Sequence, residues 1–445
     1  MKLYKSTVGI LLLPTFLLSA SKPNIVMILA DDLGYGDLSS YGHPHARTPV
    51  IDQLAKDGVR FTQHYANGTE CSPTRTAFLT GRYQQRVGGL ECAIGTGNIG
   101  RYDDAARLAK ARDLGLPADQ SVLPGGLKER GYKCGIIGKW HLGYEPHFNP
   151  MVYGWDDFFG YMGGNVHYFN HRETSSLHVL YDGNLPVHAE GYMSDLITER
   201  SIRFIKANKD NPFFLYIAHE SPHFPFQGPG DKEKVVDASN WNTPDEPTYV
   251  AMLEDLDAQV GKVLIALENE GLTRDTIVVF VSDNGGYGKI ANMGPLNGAK
   301  STTLEGGIRV PMVIRWPGRI IPGKTCNQTC VTFDLTYSFL GVAGADTSFL
   351  DLDGMDIIDH VVSGKRDFHR NLFWRGKRGE RVWSAVRSGD MKYVRKQDNG
   401  KIEEWVYDLS KDIGEKEDLA ASKTEILKGL KDLLSKWECD VKPIR

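Results

Sequence analysis

Two uninterrupted apolar runs, far apart in the chain, set the narrowest limit on the fold. Asn24-Ile25-Val26-Met27-Ile28-Leu29-Ala30 stops abruptly at Asp31-Asp32-Leu33-Gly34. Thr276-Ile277-Val278-Val279-Phe280-Val281 stops in the same way at Ser282-Asp283-Asn284-Gly285-Gly286. Neither alternates apolar with polar residues, so each predicts a strand buried on both faces, as in parallel sheets covered by helices. Further strands are expected at 133–137, 213–218 and 311–315, with helical spacing over 50–57, 194–208 and 248–269. Strands alternating with helices predict an α/β fold, a large mostly parallel sheet sandwiched by helices. Beyond about Gly341 the texture changes to short runs at 373–380, 383–387, 392–395 and 404–409, with turns such as Asp398-Asn399-Gly400. An amphipathic stretch at 424–437 follows, with Leu427, Leu430 and Leu434 on one stripe. A smaller C-terminal antiparallel sheet plus helix subdomain is expected there, with packing as its role.

In such sheets ligands gather beyond the C-terminal ends of the strands. Asp31, Asp32, Asp283 and Asn284 fall at ends of this kind, as do Lys139 with His141, and His219 with His223. Residues i and i+2 at a strand end share a face, so Lys139 and His141 can reach one site. Four oxygen donors without sulfur or imidazole select calcium or magnesium over zinc. Taken singly, each acidic pair reads equally as a turn or a helix cap. Cys71-Ser72-Pro73-Thr74-Arg75 opens a helical run. With Pro73 in the first turn, Cys71 lies at the helix N-terminus and Arg75 on the same face four residues on. The positive end of the helix dipole then makes a seat for a divalent anion. Alone, Cys71 also reads as a small buried hydrophobe.

Cys71-x-Pro73-x-Arg75 followed by Thr80-Gly81-Arg82 resembles the signature of type I, formylglycine-dependent sulfatases of the alkaline phosphatase superfamily, and the resemblance runs along most of the chain. It implies that a maturation enzyme oxidises Cys71 to Cα-formylglycine. One hydroxyl of the hydrated aldehyde attacks sulfur and the other expels sulfate. Asp31 to Asp37 and Ser282 to Gly286 match the family's metal motifs, which implies one Ca²⁺ held by Asp31, Asp32, Asp283, Asn284 and residue 71. Gly138-Lys139-Trp140-His141-Leu142-Gly143 matches another motif, implying that Lys139 stabilises the sulfate and His141 acts as base. The segment from Ala218 to Gln227 resembles the one carrying the leaving-group-protonating histidine, here His223. Asn297-Gly298-Ala299-Lys300 resembles the segment of the second sulfate lysine, Lys300, although relatives often carry arginine at the place of Asn297. Arg75 completes the implied catalytic set.

For substrate binding the candidates are His219, Asn165, His167 and Arg172. The last three lie in a polar and aromatic loop at 161–188, and His219 is equally a structural hydrogen-bonding residue. The wording of this loop and of 219–223 looks like bacterial polysaccharide and N-acetylgalactosamine-6-sulfatase-like members. A sulfated oligo- or polysaccharide of galactan or glycosaminoglycan type is implied. Two other readings stand beside it. A phosphonate or phosphate ester hydrolase of the same superfamily would usually carry a Ser or Thr nucleophile and several zinc ions. A non-catalytic glycan-binding relative would have had no reason to keep every motif residue.

The chain has 445 residues and a net charge of −4, which gives no reason to expect nucleic-acid binding. Residues 1–20 read as a secretory signal: Lys2 and Lys5 lead, an apolar centre holding Pro14 follows, and Ser19-Ala20 end it. Cleavage near Ala20, a secreted or periplasmic location and no membrane span in the mature chain are expected. The catalytic domain is placed at 21–345 and the C-terminal subdomain at 346–445. The six cysteines do not form a disulfide framework, and Cys326 with Cys330 are the pair expected to bridge locally.

Overall fold

A computed structural model describes residues 22–174 and 177–443. The expected signal at 1–20 lies outside the described residues. The two apolar runs are immediate neighbours. Strands Asn24–Ala30 and Thr276–Ser282 pair in parallel, from Asn24 opposite Thr276 to Ala30 opposite Ser282. Phe213–Ala218 pairs in parallel on the other flank, followed by Lys133–Lys139 and Asp157–Tyr161. The first two strands and Phe213–Ala218 are buried along their whole length, because helices cover both faces.

Successive residues point to opposite faces. Ile25, Met27 and Leu29 join one apolar cluster, with Phe78 and Leu79 of helix Cys71–Thr80 and Leu335 and Phe339 of helix Phe333–Val342. Val26 and Ile28 join the other, against helices Pro49–Lys56, Met193–Asn208 and Glu246–Asn269. Each aliphatic side chain so buried contributes roughly 1.5–3 kcal/mol. Even the longest of these helices is not apolar enough to cross a membrane, and no helix among the described residues is.

The sheet has ten strands, more than expected. The strand expected at 311–315 is Met312–Arg315, and it runs antiparallel to Thr276–Ser282. Pro311, with no N–H to give a ladder, stays outside it. Short pieces such as Val59–Phe61 and Leu180–Asp182 extend the edges; they are too brief to carry a period in the sequence. Cys326 and Cys330 do not form the expected bridge. They belong to different short strands, one paired with Val59–Phe61 and the other with His64–Tyr65, and all six cysteines are free thiols.

Strands Asn371–Arg378, Arg381–Ser388, Met391–Asp398 and Lys401–Asp408 form the C-terminal antiparallel sheet in sequential order. Asn399 and Gly400 have φ of 48° and 78°, the two left-handed residues that a tight hairpin turn requires. Helix Thr424–Asp440 lays Leu430, Leu434 and Trp437 against Trp374, Tyr393 and Val406. The same cluster takes in Tyr65 and Ala77, so this sheet packs on the back of the Cys71–Thr80 helix. Helix Ile357–Ser363 buries Ile357 and Ile358 in the cluster of the main sheet, so that packing extends past residue 345. One buried ammonium ties the parts together: Lys392 Nζ lies 2.8 Å from both Glu305 Oε1 and Glu415 Oε1, and all three side chains are out of solvent.

Candidate active site

Helix Cys71–Thr80 is preceded by Glu70 in extended conformation and closed by Gly81 at φ 67°. All ten of its residues are buried, and Pro73 sits in its first turn. Cys71 therefore occupies the N-terminal end, and Ser72 Oγ fixes that end by donating to the His141 carbonyl at 2.9 Å. Arg75 is wholly engaged. Its Nε and one Nη donate to Asp283 Oδ2 at 3.1 and 2.9 Å, and the other Nη to the Lys139 carbonyl at 2.8 Å.

Four parallel strands deliver the rest at their C-terminal ends. Asp31 and Asp32 follow the first strand, with Asp32 at φ 61° so that both carboxylates turn inward. The Cys71 thiol donates to Asp31 Oδ1 at 3.2 Å and lies 3.9 Å from Asp32 Oδ1. Lys139 Nζ is bonded to Asp31 Oδ2 and sits 3.4 Å from Cys71 Sγ. Lys300 Nζ bonds Asp32 Oδ2 at 2.7 Å and stands 3.7 Å from the same sulfur. Asp283 Oδ1 accepts from the Asp32 backbone N–H at 3.2 Å, and Asn284 Nδ2 donates to Asp32 Oδ1 at 2.7 Å.

Charges alternate through this floor: Asp31, Asp32 and Asp283 against Arg75, Lys139 and Lys300. Burial works against the Asp32 carboxylate, but Lys300, His223 and Lys139 outweigh it and hold it near 2. Burial and the neighbouring Asp31 charge push Asp283 up to about 6, even against Arg75. Burial, then Asp283 and Asp31, raise the Cys71 thiol well above its ordinary value despite the two lysines. An unmodified thiol here keeps its proton at neutral pH.

Two histidines complete the ring. His141, at φ 59°, bonds the Ile94 carbonyl through Nε2 at 2.9 Å, which leaves its buried Nδ1 without a partner among the described residues. Gly164 makes room for that imidazole; a Cβ there would come within 2.6 Å of Nε2. His223 Nδ1 lies 2.6 Å from its neighbour's carbonyl, and Nε2 is 3.5 Å from Asp32 Oδ2. Burial and the adjacent lysines lower both histidines.

The oxygens of Asp31, Asp32 and Asn284 suit a hard cation, while the tightest group of converging side chains also brings a thiol and an imidazole. Ligand atoms of Asp31, Asp32, Cys71 and His223 lie within 4.8 Å of one another, all buried. Asn284 Oδ1 is buried beside them with no partner among the described residues. A buried amide oxygen without a donor, next to converging carboxylates, has the chemistry that a cation ligand needs. Asp283 is not in that tightest group, because Arg75 draws one of its oxygens away.

Above the floor opens a cavity of about 490 Å³, lined by Cys71, His141, His223 and Lys300. Of the four substrate-side candidates, only Asn165 lines it. His219 is fully buried behind the strand end, held by its backbone to Leu29, and its ring nitrogens have no partner among the described residues. His167 is turned inward to organise its own loop: Nδ1 accepts from the Phe169 and Asn170 backbone, and Nε2 faces Gln227. Arg172 is exposed and is not among the lining residues; its backbone bridges to His178. His167 thus serves as a loop anchor, a use that composition does not distinguish from ligand contact.

The glycine-rich loop from Gly88 to Arg101 reads in the sequence as a second loop able to hold a sugar, and it does line the cavity; the other walls were missed. Tyr144, Tyr287, Lys289, Arg378 and Arg381 also line the cavity. Arg378 and Arg381 flank the tip of the first C-terminal hairpin, so that subdomain does more than pack. Arg378 pairs with Glu70 at 2.7 Å, next to Cys71. Glu70 in turn accepts from the Ala93 N–H and the Ser301 hydroxyl. The basic tip Lys377-Arg378-Gly379-Glu380-Arg381 was the available signal.

An anion cradle of two lysines and two histidines, set around a helix N-terminus and a carboxylate cluster in an α/β sheet, defines a hydrolase of tetrahedral oxyanion esters. The chain belongs to the sulfatase family: the family model described as Sulfatase matches residues 23–345, and that described as N-sulphoglucosamine sulphohydrolase, C-terminal, matches 299–439. It is therefore a hydrolase of sulfate esters. Among similar proteins, N-acetylgalactosamine-6-sulfatase of Canis lupus familiaris is 33% identical over 381 residues, covering 80% of this chain and 69% of that one. Arylsulfatase A of Bos taurus is 34% identical over 408 residues, covering 84% and 75%. The crystal structure of Ps i-CgsB, also solved in complex with k-i-k-neocarrahexaose, is 30% identical, with a TM-score of 0.81 over 94% of this chain and 93% of that one.

Proposed function

We propose that this protein removes an O-sulfate from a sulfated carbohydrate of galactan or glycosaminoglycan type by S–O cleavage, with residue 71 matured to Cα-formylglycine beside one Ca²⁺. The observation that carries the reading is the setting of Cys71, whose sulfur meets two carboxylates and two ammonium groups on the floor of the cavity. The N-acetylgalactosamine-6-sulfatase relative and the oligosaccharide complex of Ps i-CgsB favour a sugar sulfate as substrate.

Asp31, Asp32, Asp283 and Asn284 would hold the calcium. When bound it supplies positive charge for the sulfate oxygens and acidity for the aldehyde hydrate. Lys139 and Lys300 receive the sulfate oxygens, and a preorganised donor of this sort is worth ~3 kcal/mol in the transition state. Arg75, spent on Asp283 and the Lys139 carbonyl, positions both instead of touching sulfate. His141 uses its free Nδ1 to take a proton from the hydroxyl of residue 71, and His223, whose Nδ1 is held by the Phe224 carbonyl, gives one to the departing sugar oxygen from Nε2 once the bound sulfate's negative charge has favoured its imidazolium form. Residues 1–20 act as an export signal, cleaved near Ala20. The catalytic part at 21–345 is completed by the C-terminal part at 346–445.

Sulfate release from sulfated oligosaccharides, run beside mass analysis of the peptide holding residue 71, tests the proposal. Release is expected only where that peptide has lost the thiol mass, and Cys71→Ala and Cys71→Ser should both be inactive. Undiminished turnover by both variants sinks the assignment.

A further inference from the structure

The cavity walls carry a charge pattern that cleavage of a single sulfate ester does not use. Arg101, Lys289, Arg378 and Arg381 line the opening above Lys300 and the histidines, and no carboxylate is among the lining residues. That is a local excess of cation on a chain whose net charge is −4. Two of the four are already matched: Arg378 pairs with Glu70, and Arg381 with Asp398 at 2.9 Å.

Arg101 and Lys289 are different. Both are exposed, and neither makes an ion pair among the described residues. Arg101 spends its Nε on the Ala93 carbonyl at 3.2 Å, which holds the guanidinium across the cavity wall beside Gly95 and leaves both Nη groups for a ligand. Lys289 Nζ lies 5.7 Å from the Tyr287 ring centre, an aromatic face that steadies the ammonium without neutralising it. One is anchored by a backbone carbonyl and the other by a ring, on separate loops that share one cavity. Cations held in place but left unmatched are complementary to an anion arriving with the ligand.

We propose that Arg101 and Lys289 bind a second anionic group of the substrate, a sulfate or carboxylate on the sugar ring next to the one being desulfated. The enzyme then selects a glycan charged on adjacent rings. This rests on the carbohydrate-sulfate reading above. General steering of anions toward the cavity would be a weaker role, raising rates for every sulfated substrate alike.

Three disaccharides separate these cases: one sulfated only on the reacting ring, one with a second sulfate on the neighbouring ring, and one with a uronate there. The expected result is a kcat/KM ratio of on the order of ten in favour of either doubly charged substrate, carried mainly by KM, since two exposed ion pairs are at stake. In Arg101→Ala/Lys289→Ala that ratio should fall toward one, and the charge-keeping pair Arg101→Lys/Lys289→Arg should restore it. Raising salt on the unaltered enzyme should shrink the ratio as well, a readout that needs no substitution. A ratio near one in the unaltered enzyme, or an equal loss on all three substrates in the alanine variant, overturns the inference. Failure of the carbohydrate reading looks different: protein with a matured residue 71 would release sulfate from none of the three.

Discussion

Replacing Lys392 by methionine removes the one cation buried between Glu305 and Glu415. Its Nζ is 2.8 Å from an oxygen of each, and all three side chains have 0% exposure. Glu415 also accepts from the Glu305 backbone N–H at 2.6 Å, and Glu305 keeps Arg309 at 3.2 Å as a second partner. Breaking a buried ion pair from one side costs about 3–5 kcal/mol, because a desolvated charge is left behind. That is the expected loss at pH 8, where both carboxyls are forced toward ionisation. At pH 5 the loss should be smaller. Burial, opposed by Lys392 and helped by Glu305, already lifts Glu415 to about 7, so there it is neutral and forfeits roughly 1–3 kcal/mol of hydrogen bonding. Urea denaturation at both pH values, with amide exchange across 371–408, would measure this. Exchange in the C-terminal sheet should quicken before that of the central strands. A loss under about 1 kcal/mol at pH 8, or one that does not change with pH, refutes the reasoning.

Glu415→Gln probes the same contact from the other side. With a folded value near 7 against an ordinary 4.5, Glu415 holds its proton in the folded chain while the unfolded chain has released it. The stability of the unaltered protein relative to this variant should therefore fall by about 3 kcal/mol as pH rises from 4.5 to 7, and melting curves across that range read it. Gly164→Ala would set a methyl group 2.6 Å from His141 Nε2. The imidazole must leave the Ile94 carbonyl, so kcat for sulfate release should drop on the order of a hundredfold; a change within twofold would remove His141 from the chemistry. Chelation of calcium should lower the melting temperature, and Ca²⁺ at a hundred times its Kd should restore about 2.7 kcal/mol. Asp31→Asn should lose that response; an unaltered protein indifferent to Ca²⁺ contradicts the assigned ligands.

The central strands were legible because burial on both faces leaves an unbroken apolar run, as in Asn24–Ala30 and Thr276–Ser282. Their polar ends were legible for the same reason, since each run stops where the sheet meets its ligand face. Helix limits came within two residues: 50–57, 194–208 and 248–269 are Pro49–Lys56, Met193–Asn208 and Glu246–Asn269. The antiparallel sense of Met312–Arg315 was not legible, because direction depends on how the chain returns and not on residue type. Nor were the cavity walls beyond the loops around Asn165 and Arg101. Arg378 reaches Glu70 across 308 residues, a contact that no local pattern encodes. His167 shows the converse, a residue of the right type whose side chain the fold turned to its own use.

The burial of helix Cys71–Thr80 imposes an order of events. In the finished molecule Cys71 is 1% exposed, on the floor of a cavity of about 490 Å³. Part of its cover, the sheet that packs behind Ala77 and the arginine that clasps Glu70, is made of residues synthesised three hundred positions later. A protein that must grip the backbone around Cys71 finds it within reach while the chain is still incomplete or open, and after the last strands close that side chain meets only what the cavity admits.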